Sequence, residues 1–176
     1  MMRLGFLLFG VAFLLAACGR SENAALPTPQ EPTSRAVGYY CNMVVTEHPG
    51  PKGQIFLKGK TEPIWFSSVR DTFTYLGEEV VNEGELAAVW VNDMAQGSWD
   101  HPAAGAWVEA RKAWYVVGSH MAAAMGGTEA VPFADRAAAE AFANQYGGEV
   151  ADYEVARKKI EASPVGDAAS EVSDAP

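Results

Sequence analysis

Cys41 and Met43 are the residues with the most chemistry to offer, in a stretch from Tyr39 to Gly53 that reads YYCNMVVTEHPGPKG. Strand side chains alternate faces, so a strand over Tyr39–Thr46 would point Cys41 and Met43 one way and Asn42 the other. Two residues of strand rise about 6.6 Å, short enough for two flexible sulfur side chains to converge on one small ion. A thiolate with a thioether is a soft ligand pair, and softness selects Cu(I) over magnesium, calcium or manganese. A buried Cys beside a core Met is the ordinary alternative, since both are common interior residues. His48 precedes the turn Pro49-Gly50-Pro51; its imidazole can fold back over the Cys-Met edge or bond backbone in the turn. Met94 ends VNDM, where a strand-end thioether either completes a soft site or plugs the core. Of the two, Met94 is the better placed beside another strand. Met125, next to Gly126-Gly127, reads as packing around a tight turn.

Other chemistries find less support. His48, His101 and His120 stand at no helical metal spacing, and Gly-x-Ser-x-Gly, a phosphate loop and Gly-x-Gly-x-x-Gly are all missing from the sequence. The expectation is a protein that is not an enzyme. Without Cys-x-x-Cys, dithiol redox chemistry is excluded as well.

The N-terminus decides how Cys41 is to be read. Residues 1–17 carry one basic residue, Arg3, then an apolar run from Leu4 to Ala17, too short for a stable membrane span. This is the build of a secretory signal peptide. Its end, Leu15-Ala16-Ala17-Cys18, resembles a bacterial lipobox, which implies cleavage before Cys18 and lipid on that residue. With two cysteines in the chain and Cys18 lipidated, Cys41 has no internal partner in a compartment that oxidises thiols. Loss of Arg3 takes the formal charge from −9 to −10, which excludes nucleic-acid binding through a basic patch. Such a globule should meet the membrane only through its lipid anchor.

The elements that must position these residues follow in order. Residues 18–36 hold three prolines and small polar residues and read as a lipidated, flexible tether, about 60 Å at full stretch. Residues 37–161 read as one α+β globule. After the Cys41 strand come a strand over Gln54–Lys58, an extended piece over Pro63–Ser67 and a short helix capped by Ser68 and Asp71. Leu86–Asn92 is β-branched and aromatic and predicts a strand. After a loop over Asp93–Gly105 the order repeats: strand at Trp114–Gly118, extended Val131–Phe133, helix Arg136–Tyr146 capped by Asp135, strand at Glu149–Tyr153, and a last turn or helix carrying Glu154 and Lys158. The two ββαβ-like halves, about 37–92 and 106–161, are related by a spacing of about 70 residues. Residues 162–176 read as a disordered tail.

Several of these motifs together resemble the NosL family of copper-binding lipoproteins, accessory to nitrous oxide reductase. The resemblance rests on CNM with HPGPKGQ, on VWVNDM, on Trp-Tyr-Val-Val-Gly-Ser and on MGGTEAVPF, and runs from about Tyr39 to Val150. It implies a paired ββαβ fold and delivery of Cu(I) for the copper–sulfur centre of that reductase, working with a membrane ABC transporter on the periplasmic side of a bacterial membrane. Residue by residue, it matches Cys41 and Met43 to the family's Cys-x-Met, Met94 to its Asp-Met and His48 to its His-Pro-Gly. Asn42 stands where the family has Gly; in the strand reading it faces away and matters little. A homodimer sharing the metal is left open, as is an adaptor lipoprotein whose Cys41 is merely buried.

Overall fold

A computed structural model describes residues 25–78 and 85–163. The signal-like segment, Cys18 and residues 164–176 lie outside the described residues. In chain order the elements are β1 (Gly53–Leu57), β2 (Ile64–Phe66), α1 (Val69–Gly77), β3 (Leu86–Asn92), β4 (Trp107–Glu109), β5 (Trp114–Ala122), β6 (Thr128–Phe133), α2 (Arg136–Tyr146), β7 (Glu149–Ala151) and α3 (Tyr153–Glu161). The strands form two antiparallel sheets, ordered β2-β1-β3-β4 and β6-β5-β7. Each unit thus runs strand, strand, helix, strand, with its first strand in the middle, and each begins with a 3-10 turn, Val45–Glu47 or Ala110–Lys112. The paired ββαβ architecture expected from the sequence is the architecture found.

Local chemistry explains the helices. Ser68 accepts the Asp71 amide at the start of α1, Asp135 accepts those of Ala137 and Ala138 in α2, and Asp152 accepts that of Val155 in α3. Such caps satisfy amides that the first helical turn leaves unpaired. Gly147, at φ 74 and ψ −172, stops α2 in a positive-φ conformation open essentially to glycine alone. The main core lies between α1, α3 and both sheets. Phe73 of α1 packs on Tyr115 and Tyr153, with ring centroids 5.2 and 5.5 Å away. A smaller cluster around Val116, Val131, Phe133 and Ala139 takes in Phe142 from α2.

The two units also exchange polar contacts. Glu129 of β6 is 1% exposed and accepts the backbone amides of Arg70 and Ala130, each at 2.8 Å. The Arg70 guanidinium returns across the seam to the carbonyls of Thr128 (3.2 Å) and Ser163 (2.6 Å). Buried without enough compensation, the Glu129 carboxyl has its pKa pushed up to about 8. Lys52, buried nearby, is pushed down to about 8.

Two segments depart from the sequence-based expectation. Tyr39–Thr46 is not a strand but a tight loop followed by the 3-10 turn. The Gly38 amide donates to the Met43 carbonyl (2.9 Å) and the Asn42 amide to the Gly38 carbonyl (2.8 Å), closing the loop on itself. Asn42 sits at φ 55, a left-handed conformation that an extended strand does not contain. Residues 27–36 are not a free tether either. Gln30 and Gln54 exchange hydrogen bonds (2.9 and 3.0 Å), Trp90 Nε1 donates to the Pro27 carbonyl (2.9 Å), and Glu31 accepts from Trp107 Nε1 and the Gly105 amide. Composition predicts flexibility from what a segment can bury, whereas this strap is held by polar pairs supplied from the sheet. The chain left between Cys18 and Pro27 reaches at most about 30 Å.

Candidate metal centre

The loop carrying Cys41 is fastened to the edge of the first sheet. Val37 bridges Val44 at its base, Gly38 lies alongside Trp65 of β2, and the Tyr39 amide donates to the Trp65 carbonyl (2.8 Å). Tyr39 packs on Tyr75 and Phe66, with centroids 4.9 and 6.1 Å away, and Tyr40 packs edge-on against Tyr39 at 5.0 Å. The aromatic pair thus serves as the loop's foot rather than as alternating strand residues. Burial, reinforced by a hydrogen bond to Glu78, raises the Tyr40 pKa, so its phenol stays neutral at the rim.

Cys41 is a free thiol, half-buried, with Sγ 3.2 Å from Ser67 Oγ at the C-terminal end of β2. Met43 is 39% exposed on the same loop. Both residues thus reach the surface from one loop, which turns at Asn42 instead of alternating as a strand would. The middle residue consequently matters more than a strand model allows. Glycine visits the left-handed region freely, and asparagine is among the few other residues that do so at low cost. A Gly-to-Asn exchange in Cys-x-Met preserves the backbone; a β-branched residue there would not.

Met94 and His48 are brought to the same end of the first sheet. Gly53 of β1 pairs with Phe66 of β2 and with Val91 of β3, so Ser67 and Met94 follow strands that end together on either side of β1. Two strand spacings separate those strands, about 9.6 Å. Met94 is half-buried against the cluster around Phe133, with its amide donating to the Pro132 carbonyl (2.9 Å). His48 ends the 3-10 turn and lines a cavity of about 210 Å³ with Glu31, Lys52, Asn92, His101 and Trp107. Its Nε2 is enclosed and has no hydrogen-bond partner among the described residues. The turn after it is pinned by Lys52 Nζ, which donates to the carbonyls of Pro49 (3.0 Å) and Gly50 (2.6 Å). Met125 is exposed at its turn, not packed around it.

Among the described residues no three His, Cys, Asp or Glu side chains lie close enough to share an ion. A metal at Cys41 would have to draw on thioether sulfur or remain low-coordinate. Both favour a soft, monovalent ion over zinc, which takes Cys, His and carboxylate ligands in closed tetrahedra. Ser67 and Gly38 are not legible in the linear chain as neighbours of Cys41, because that contact is made across the loop and not along it.

Fold and site together describe a small α+β protein of two ββαβ units that presents a cysteine-methionine loop at the edge of one sheet. The family model NosL matches residues 29–160, and the chain belongs to the NosL family. It is 44% identical over 151 residues to the copper-binding lipoprotein NosL of Achromobacter cycloclastes, covering 84% of this chain and 77% of that protein. It is 34% identical over 149 residues to the protein of the same name from Stutzerimonas stutzeri, covering 82% and 74% respectively. The crystal structure of the copper chaperone NosL from Shewanella denitrificans superposes with a TM-score of 0.68 at 34% identity, over 73% of this chain and 94% of that one.

Proposed function

We propose that the chain is a lipid-anchored carrier of Cu(I) on the periplasmic side of a bacterial membrane. It would supply copper for the copper–sulfur centre of nitrous oxide reductase, in company with an ABC transporter. The observation that carries this reading is the placement of Cys41: a half-buried thiol two residues from the exposed Met43, on a loop rather than in the core. A carrier has to bind its ion tightly and surrender it to a partner, and a surface loop with few ligands suits both tasks. The same placement weighs against an adaptor whose cysteine is merely buried.

Cys41 and Met43 hold the ion in this reading, with Met94 or His48 as a labile third ligand. For His48 speaks an enclosed Nε2 that lacks a partner among the described residues; for Met94, its softness just beyond the end of β3. Anchoring is assigned to Cys18, and the relatives' description as lipoproteins supports it.

The test is Cu(I) binding under reducing conditions, by competition with a chelator of known affinity. Wild type should bind one Cu(I), and Cys41→Ser should lose it, by 1000-fold or more if the thiolate contributes at least ~4 kcal/mol. Of His48→Ala and Met94→Ala, the one that removes the third ligand should weaken binding about 10- to 100-fold, the effect typical of a supporting group. Copper retained at wild-type affinity by Cys41→Ser would sink the proposal.

A further inference from the structure

Ser67 has a side chain whose chemistry the fold does not require. It is 1% exposed, and its hydroxyl has a single hydrogen-bond partner among the described residues, Cys41 Sγ. Sulfur is a weak hydrogen-bonding partner when it is a neutral thiol, so a buried hydroxyl gains little from it in the empty protein. The matched position of the second unit, though exposed there, has no hydroxyl. Phe66 and Phe133 each end the second strand of their unit, and the helix cap stands two residues later, at Ser68 or Asp135. Between them the first unit has Ser67 and the second has Ala134.

Space is also reserved for this contact. A Cβ on Gly38 would come 2.6 Å from Ser67 Oγ and 2.7 Å from Cys41 Sγ. Any larger residue would have to push the hydroxyl or the sulfur aside. The absent side chain at Gly38 and the hydroxyl at Ser67 therefore serve the same pair of atoms.

We infer that Ser67 is a positioning residue for the metal, donating a hydrogen bond to the Cys41 thiolate in the loaded protein and so setting how tightly Cu(I) is held. The inference rests on Cys41 being a copper ligand. When Cu(I) binds, the thiol proton leaves to solvent and the sulfur becomes an anionic acceptor. Ser67 Oγ–H then donates to it, and a hydrogen bond to a charged acceptor is roughly twice as strong as one between neutral groups. The contact thus favours the loaded state over the empty one, and it fixes the direction in which the sulfur faces.

The experiment uses the full-length lipoprotein in detergent, titrated with Cu(I) against a chelator, for wild type, Ser67→Ala, Ser67→Thr, Ser67→Val and Cys41→Ser. Ser67→Ala should lose about 10- to 100-fold in affinity, the usual cost of removing a second partner of a metal ligand. Its thiolate-to-copper absorption should move to longer wavelength, because the sulfur lone pairs are no longer stabilised by a donor. Thr and Val have nearly the same shape, so Ser67→Thr should recover affinity and band position while Ser67→Val should not. That pair decides the matter should Ser67→Ala fold poorly. Equal affinities for the Thr and Val variants would overturn the inference, because packing and not the hydroxyl would then matter. Wild-type affinity in Ser67→Ala, with copper lost in Cys41→Ser, would overturn it and leave the copper reading intact; copper retained by Cys41→Ser would overturn both.

Discussion

The two ββαβ units share strand order, a 3-10 turn at the start and a phenylalanine before each helix, yet the start of the helix is covered in one and open in the other. In the first unit the N-terminus of α1 is roofed by the Cys41 loop, and the segment before it runs as a strap along the outer face of the sheet. In the second, Asp135 at the start of α2 is exposed, and among the described residues nothing comparable covers it. Small residues make the difference. Gly53 pairs with Phe66 where Trp114 pairs with Phe133, and a Cβ on Gly53 would overlap Thr72 Oγ1 of α1. The first helix therefore seats directly on its strand, while in the second unit Trp114 occupies the corresponding place, under Arg136. Duplicated topology supplies a scaffold; side-chain size at a few matched positions decides which copy has room for a site.

The helices should differ in what they contribute to stability. Phe73 of α1 is completely buried between both halves, whereas Phe142 of α2 is half-buried on the second alone. Phe73→Ala should cost about 4 kcal/mol and Phe142→Ala roughly 2 kcal/mol or less, read from urea unfolding. Equal costs would mean that the core is not centred on the first helix.

Next in size is the pH dependence of the seam between the units. Glu129 keeps its proton up to about pH 8 in the folded protein, but releases it near 4.5 when unfolded. The folded state binds more protons within that window, so stability is fully present below pH 4.5 and declines as pH rises toward 8. Lys52 acts in the opposite sense above that window. Its folded pKa is about 8 against 10.5 unfolded, so its contribution is present above pH 10.5 and lost as pH falls through 8. Stability should pass through a minimum near pH 8, after a fall of a few kcal/mol on the acid side. Glu129→Gln, which keeps an oxygen for the Arg70 amide, should flatten that acid-side slope. A variant melting temperature that still falls from pH 5 to 8 as steeply as the wild type's would show that the seam does not titrate through this residue.

The smallest effect belongs to the strap. Trp90→Phe removes the hydrogen bond to the Pro27 carbonyl and should cost about 1 kcal/mol locally. Trypsin should then cut after the exposed Arg35 roughly fivefold faster, since local opening sets the rate when reclosing is fast. Cleavage at the wild-type rate would count against the strap as a held element.

Regular elements were legible wherever one signal sufficed. Leu86–Asn92 follows from β-branched and aromatic residues, and α2 from Asp135, the Ala139-Phe142-Tyr146 face and Gly147. The short β4 was not legible, because three residues carry no periodicity of their own and are recruited by pairing with β3. At the candidate site, residue types singled out Cys41 and Met43, but the strand geometry expected for them is not the one found. YYCNMVVT has the composition of a strand, and only the left-handed Asn42 and the docking of Tyr39 on Phe66 and Tyr75 make it a loop.

What the sequence by itself determined is therefore local: helix caps, the repeated order of elements, the soft side chains of Cys41 and Met43 and the family their motifs indicate. Those depend on neighbours within a few residues, and such neighbours are visible in a linear string. What the tertiary structure decided is which residues meet: Ser67 under Cys41, Gly38 against both, Glu129 on the first turn of α1, and residues 27–36 strapped to the sheet. Each of these contacts joins positions far apart in the chain, or lying across a turn. Their existence depends on shape and on the satisfaction of buried polar groups, which no single stretch of sequence contains.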